Sequence, residues 1–171
     1  MSSTSYHIWL KPSGSAYELF AKTIRELAHE FDAPVFEPHV TLLGHLTGTE
    51  QEHVRRTNQL ARQLHPFQII LTEPSYGNEY FQCLVMSVEQ TPAVMNANTL
   101  AKHVFCREEE AYMPHLSLAY GLYPEARKKE VVANLRPDVR TCFEVNAVYL
   151  IKAHSRDPKD WCEILVSPMS G

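Results

Sequence analysis

The 171-residue chain has no apolar run near the ~18 residues of a membrane span, so no membrane partner is expected. Met1 to Lys11 has no basic segment leading into a long apolar stretch, so no secretion signal is expected. Its four cysteines, Cys83, Cys106, Cys142 and Cys162, form no Cys-x-x-Cys pair and no zinc spacing with nearby histidines. They read as small, mostly buried side chains in a reducing, cytoplasmic setting. A glycine-rich phosphate loop and a dinucleotide fingerprint are both missing, which removes the basis for nucleoside-triphosphate or nicotinamide chemistry. No charge run exceeds Glu108–Glu110, and the formal net charge is −4. Without a basic stripe, DNA and a long RNA track are unsuitable partners, because binding there is dominated by phosphate neutralisation. A small phosphate ester needs only a local positive spot.

What remains is ordinary globular material, 44% hydrophobic and 21% charged, long enough to bury a core without staples. Prolines and glycines punctuate it, and between them the apolar pattern alternates between periods of two and 3.6. Strands are expected at 5–11, 40–46, 67–72, 80–88, 116–120, 142–153 and 161–167. Helices are expected at 16–31, 50–64 with Thr49 as N-cap and Val54, Ala61 and Leu64 inward, 93–105, and 124–135. The order is α+β, a split-βαβ pattern with helices outside curved sheets. The length fits one two-lobed domain over 1–171.

One phrase occurs twice. Pro38-His39-Val40-Thr41-Leu42 and Pro114-His115-Leu116-Ser117-Leu118 both read Pro-His-apolar-hydroxyl-Leu, 76 residues apart. Proline favours an extended entry into each strand. Side chains on a strand alternate, so His39 shares a face with Thr41, and His115 shares one with Ser117. Val40, Leu42, Leu116 and Leu118 fall on the opposite, core side. If the two strands lie together, two imidazoles and two hydroxyls meet in one cleft. That set suits opening a cyclic phosphodiester. One neutral imidazole takes a proton from water and one imidazolium gives a proton to the leaving oxygen. The hydroxyls donate to the non-bridging oxygens. No metal is required, because each proton transfer has its histidine.

With these residues the sequence resembles the 2H phosphoesterases, named for paired His-x-Thr/Ser-x motifs. Phe81-Gln82-Cys83, Thr91-Pro92-x-Val94-Met95 and Tyr112-Met113-Pro114-His115-Leu116-Ser117-Leu118 are similar to the plant and fungal cyclic phosphodiesterase branch. The resemblance runs from Trp9 to Val166. It implies a bilobal α+β fold, with two pseudo-symmetric lobes of curved antiparallel sheet and outer helices around a central cleft. It implies metal-independent hydrolysis, without a cofactor, of ADP-ribose 1″,2″-cyclic phosphate, a product of tRNA splicing, and of nucleoside 2′,3′-cyclic phosphates to 2′-phosphates. It also implies that His39 and His115 are catalytic and that Thr41 and Ser117 bind the phosphate. Tyr120 and Trp161 match aromatic positions that contact substrate. Simple alternation puts Tyr120 on the core face, and only a twist or bulge at the strand end would bring it to the site. Trp161 suits either stacking on a base or covering the core at a sheet edge.

Among the other histidines, His29, His53, His65 and His103 read as solvated helix-surface residues and His45 as a cleft-rim candidate, while Tyr6 or His7 would touch substrate if their strand lies beside the motif strands. Arg25, Arg55, Arg56, Arg127 and Arg140 are candidates for a second phosphate, with nothing in spacing to single one out. Lys128-Lys129 reads as a solvated helix face. The expected ligand is a small cyclic nucleotide, and the expected state is a monomer. An RNA-processing enzyme acting on 2′,3′-cyclic RNA ends and a non-catalytic nucleotide-binding module are the alternatives.

Overall fold

Hydroxyl caps start two of the helices. Thr49 accepts from the Glu52 amide and opens α2 (Glu50–Gln63); Thr91 accepts from the Val94 amide and opens α3 (Pro92–Val104), with Pro92 in the first turn where its missing N–H costs nothing. The other helices are α1 (Gly14–Phe31) and α4 (Glu125–Asn134). The strands are β1 (Ser5–Leu10), β2 (Val40–Leu46), β3 (Phe67–Tyr76), β4 (Leu84–Val88), β5 (His115–Ala119), β6 (Cys142–Val145), β7 (Ala147–Ala153) and β8 (Trp161–Pro168). This computed structural model describes residues 4–108, 110–135 and 141–171; Arg140 lies outside them.

The strands form one antiparallel sheet in the order β6-β3-β4-β5-β2-β1-β7-β8. The two motif strands, β5 and β2, are its middle pair, with three strands flanking each. Residues 142–153, expected as one strand, divide at Asn146. β6 pairs with β3 at one end of the sheet, and β7 pairs with β1 and β8 at the other. A single residue joins the two because the sheet curls until its ends approach each other, as in a half-barrel. One face carries the core. Ile8, Val40, Leu42, Leu116, Leu118 and Leu150 are at most 1% exposed there, with Leu60 of α2 and Ala97 of α3 in the same cluster. Each such aliphatic side chain contributes about 1.5–3 kcal/mol by leaving water. The anchored core face fixes which face His39 and His115 must occupy.

Several expectations are corrected. Tyr80–Gln82 is a 3-10 turn rather than the start of β4, held where the Gly77 amide donates to the Cys83 carbonyl. The inward face of α2 is His53, Thr57, Leu60 and Ala61, with Val54 only half-buried. His53 is therefore not solvated; its ring packs on Tyr6 and Phe105. Lys128 is buried, its ammonium donating to the Gly77 carbonyl and to Asn78 Oδ1. Of the cysteines, which are all free thiols, only Cys83 is buried. The other three sit at an αL helix cap (Cys106) and at outward-facing strand positions (Cys142 and Cys162).

Candidate active site

β2 and β5 cross with Val40 opposite Leu116. In an antiparallel pair this register sets Thr41 beside His115 and His39 beside Ser117, all four on the face away from the core. The structure thus brings the two phrases together as a square, with the imidazoles on one diagonal and the hydroxyls on the other.

Each phrase also orients its own histidine. His39 Nδ1 donates to the Glu37 carbonyl at 2.6 Å, and His115 Nδ1 donates to the Met113 carbonyl at 2.9 Å. In both cases the acceptor belongs to the residue before the proline. A carbonyl can only accept, so both Nδ1 atoms carry hydrogen. Nε2 is left in each ring as the nitrogen available to a substrate.

The surroundings then differ. His39 is 5% exposed, and the Trp9 indole lies flat on it, with centroids 3.5 Å apart and planes 8° apart. Trp9 is placed by β1, where it pairs opposite Thr41. Loss of water is the main cause that pushes His39 down to about 3. The Glu37 hydrogen bond opposes the shift, and the charges of His7, Lys11 and His115 reinforce it. His115 is half-buried, and among the described residues no ring stacks on it.

Ser117 is buried, and its hydroxyl donates to the Phe81 carbonyl at 2.9 Å. Binding an anion there requires the hydroxyl to rotate from that carbonyl to a phosphate oxygen. Tyr120 reaches the same side. Between Leu84↔Ala119 and Val85↔Ser117, β5 advances two residues while β4 advances one. That bulge reverses the alternation that would have turned Tyr120 into the core. Its hydroxyl interacts with Ser117, and burial raises its pKa so that it stays a donor. Its ring stacks on Phe36 at 3.8 Å and meets Phe81 and Trp161 in a small apolar group separate from the main core. Trp161 is half-buried, with its N–H fixed on the Ser155 carbonyl at 2.9 Å and its ring edge-on to Trp9 at 5.6 Å. The aromatics therefore gather on the His39 side of the square.

Trp9 and Phe36 were not singled out as site residues from sequence, and Phe81 entered only through the phrase Phe81-Gln82-Cys83 that carries the family resemblance. Trp9 is two residues from His7 on a strand that would reach the site if it neighboured the motif strands, and that adjacency was the signal available. Lys11 lies behind them, 8% exposed, paired with Glu37 at 2.7 Å and Glu163 at 2.6 Å. Burial opposes its charge, but the hydrogen bonds to Glu163 and Glu37 outweigh that and raise its pKa. It ties the chain just before Pro38 to β1 and β8. Of the candidate arginines, Arg25 lines a groove with Trp9, Phe36 and Trp161, whereas Arg127 covers Phe31 and donates to the Glu30 carbonyl and Arg56 is tied to Glu52 and the Val104 carbonyl.

The model of the family described as cyclic phosphodiesterase-like protein matches residues 1–158. A cyclic phosphodiesterase of Arabidopsis thaliana is 33% identical over 125 residues, covering 72% of this chain and 69% of that protein. A 2′,3′-cyclic-nucleotide 3′-phosphodiesterase of Kluyveromyces lactis is 28% identical over 173 residues, covering 88% and 79%. The fold is that of Escherichia coli LigT, solved with 3′-AMP, at a TM-score of 0.69 and 11% identity over 98% of this chain and 99% of LigT. With that family model matched over residues 1–158, the chain belongs to the cyclic phosphodiesterase-like family.

Proposed function

We propose that the chain hydrolyses nucleoside 2′,3′-cyclic phosphates to 2′-phosphates, and ADP-ribose 1″,2″-cyclic phosphate to the 1″-phosphate, with His39 as general base and His115 as general acid. The observation that carries this reading is the matched commitment of both Nδ1 atoms, to Glu37 and Met113, which leaves both Nε2 atoms for proton transfer. The name of the Kluyveromyces lactis relative supports the substrate class.

The cyclic phosphate sits over the square. Neutral His39, kept unprotonated by its burial against Trp9, takes a proton from water through Nε2 as the water oxygen bonds to phosphorus. The bond from phosphorus to the 3′ oxygen breaks, and His115 Nε2–H supplies the proton that this oxygen takes up. Water is consumed, a 2′-phosphomonoester forms, and the two histidines end with exchanged protonation that solvent resets. Thr41 and Ser117 donate to the non-bridging oxygens as charge grows there. Half-buried Trp161 offers its ring to the base, and Tyr120, packed behind it, keeps its hydroxyl beside Ser117.

The test is hydrolysis of a 2′,3′-cyclic nucleotide with chelator present. His39→Ala and His115→Ala should each lower kcat by about 10²–10⁴-fold. Undiminished turnover in either variant refutes the mechanism. An aryl phosphodiester whose leaving group needs no proton separates the roles: it should restore turnover to His115→Ala and not to His39→Ala. The reverse pattern would exchange the assignments.

A further inference from the structure

β2 does not run straight past the catalytic square. Between Ile8↔Leu43 and Tyr6↔Leu46 it advances three residues while β1 advances two, and inside this bulge His45 has a left-handed backbone, φ 54. A non-glycine residue there costs about 1 kcal/mol or more, so the conformation persists only if its surroundings hold it. They do. Four carbonyls of this stretch are taken by side chains from beyond the sheet: Thr41 by the Tyr112 hydroxyl, Leu42 by buried Asn98, and both Gly44 and His45 by Arg107 Nη1. Bulges beside active sites re-aim a side chain, and this one turns the His45 ring onto His7, with centroids 5.3 Å apart.

His7 lies on the cleft face of β1, two residues before Trp9 and so about 6–7 Å further along the strand. Its partners place it against the site. Gly44 has no side chain to separate the backbone from His7 Nδ1, and a Cβ there would lie 3.2 Å from that nitrogen and 3.6 Å from the Thr41 methyl. His7 Nε2 meets the Ser5 hydroxyl at 3.0 Å. Nδ1 lies beside the Gly44 backbone. Loss of water first, and the neighbouring His45 second, push His7 down to about 4, and an anion bound between the two rings would oppose that shift by favouring the protonated ring. A metal ion would need more ligands, and among the described residues no group of three or more metal-ligating side chains gathers.

We propose that His7 and His45 form a second phosphate subsite at the end of the cleft opposite the aromatic rings, so that the preferred substrate carries a phosphate besides the cyclic one. This rests on the function proposed above. The base goes toward Trp161 and Tyr120, the cyclic phosphate sits at the His39–His115 square, and a 5′-phosphate, one ribose away, reaches His7 and His45. The subsite thus favours 5′-phosphorylated 2′,3′-cyclic nucleotides over the simple cyclic nucleoside phosphate.

Two measurements test it. The first is kcat/KM for adenosine 2′,3′-cyclic phosphate with and without a 5′-phosphate, in the unmodified protein and in His7→Gln and His45→Gly. Glycine suits the left-handed backbone at 45, which guards against misfolding. The unmodified protein should prefer the 5′-phosphorylated substrate by about tenfold or more, as one charge-assisted hydrogen bond provides. Both variants should bring the ratio near unity. No preference in the unmodified protein, or a ratio unchanged by the substitutions, overturns the subsite. The second is calorimetric binding of adenosine 2′,5′-bisphosphate against adenosine 2′-phosphate, which needs no turnover. Tighter binding of the bisphosphate that is lost in His45→Gly upholds the subsite even if cyclic nucleotides prove not to be hydrolysed, an outcome that would sink the proposed function alone. Equal binding of the two ligands refutes the subsite independently of catalysis.

Discussion

Replacing His39 with glutamine should make the folded protein less sensitive to acid. The native site holds the imidazole neutral down to about 3, whereas the same side chain in the unfolded chain titrates near 6.5. Above pH 6.5 neither state binds a proton there, and this residue gives stability no slope. Below 6.5 the unfolded chain takes up a proton that the native site refuses, so stability falls as pH falls, until the native value is passed. At about pH 5 the loss from this residue is about 2 kcal/mol, and it approaches about 5 kcal/mol below pH 3. The figure at pH 5 depends almost wholly on the unfolded value, and any native value well below 5 gives nearly the same result.

Urea unfolding near pH 7.5 and again near pH 5 measures this directly. The unmodified protein should lose about 2 kcal/mol more than His39→Gln between the two conditions. His7 and His53, whose pKa values are also lowered mainly by burial, add acid sensitivity of their own. Both proteins keep those contributions, so the difference isolates His39. Equal losses in the two proteins would mean that His39 titrates normally in the folded state. The argument that burial against Trp9 prepares it as a base would then fail.

Tyr120→Phe keeps the ring on Phe36 and removes the hydroxyl beside Ser117; kcat/KM for a cyclic nucleotide should fall by about three- to tenfold with little change in melting temperature, by parallel kinetics and thermal unfolding. Trp161→Ala removes a base platform and should raise KM by about tenfold with a smaller effect on kcat, as steady-state kinetics would show. Gly121→Ala places a Cβ 2.2 Å from the Tyr123 ring at φ 149 and should cost about 2–4 kcal/mol in urea unfolding, because the Tyr123 hydroxyl is anchored on the Phe31 carbonyl and the ring is not free to yield.

The strand and helix order was legible because amphipathic period and proline placement are local properties. The four motif residues were legible for a similar reason: alternation puts a histidine and the hydroxyl two residues on at one face whatever the rest of the chain does. Other readings depended on register. Counting alone put Tyr120 on the core face, and the strand-end bulge that the sequence reading required to bring it round is present in β5. Residues 142–153 carry an unbroken strand signal, and only the curl of the sheet divides them between its two ends. His53 was read from the polarity of its helix, but the inward face of α2 is set by what β7 and β8 present to it. Trp9 and Phe36 carry no motif, and their roles arise from partners distant in sequence.

That difference between local and distant information explains how two near-identical phrases yield two unlike histidines. The phrase Pro-His-x-Thr/Ser contains everything needed to protonate Nδ1, because the acceptor carbonyl lies two residues earlier on the same chain. Duplicating it gives two imidazoles with the same tautomer and the same exposed nitrogen, and nothing in it separates acid from base. The separation comes from the flanking strands. β1 lays an indole on His39, while β4, on the other side of β5, brings Ser87 opposite His115 and no ring. Burial then works on one member of the pair and leaves the other nearer to solvent. Under the proposed mechanism the pair must hold one neutral and one charged ring at the same pH, and that needs such a difference. Here it is supplied by what is packed beside the repeat rather than by the repeat itself.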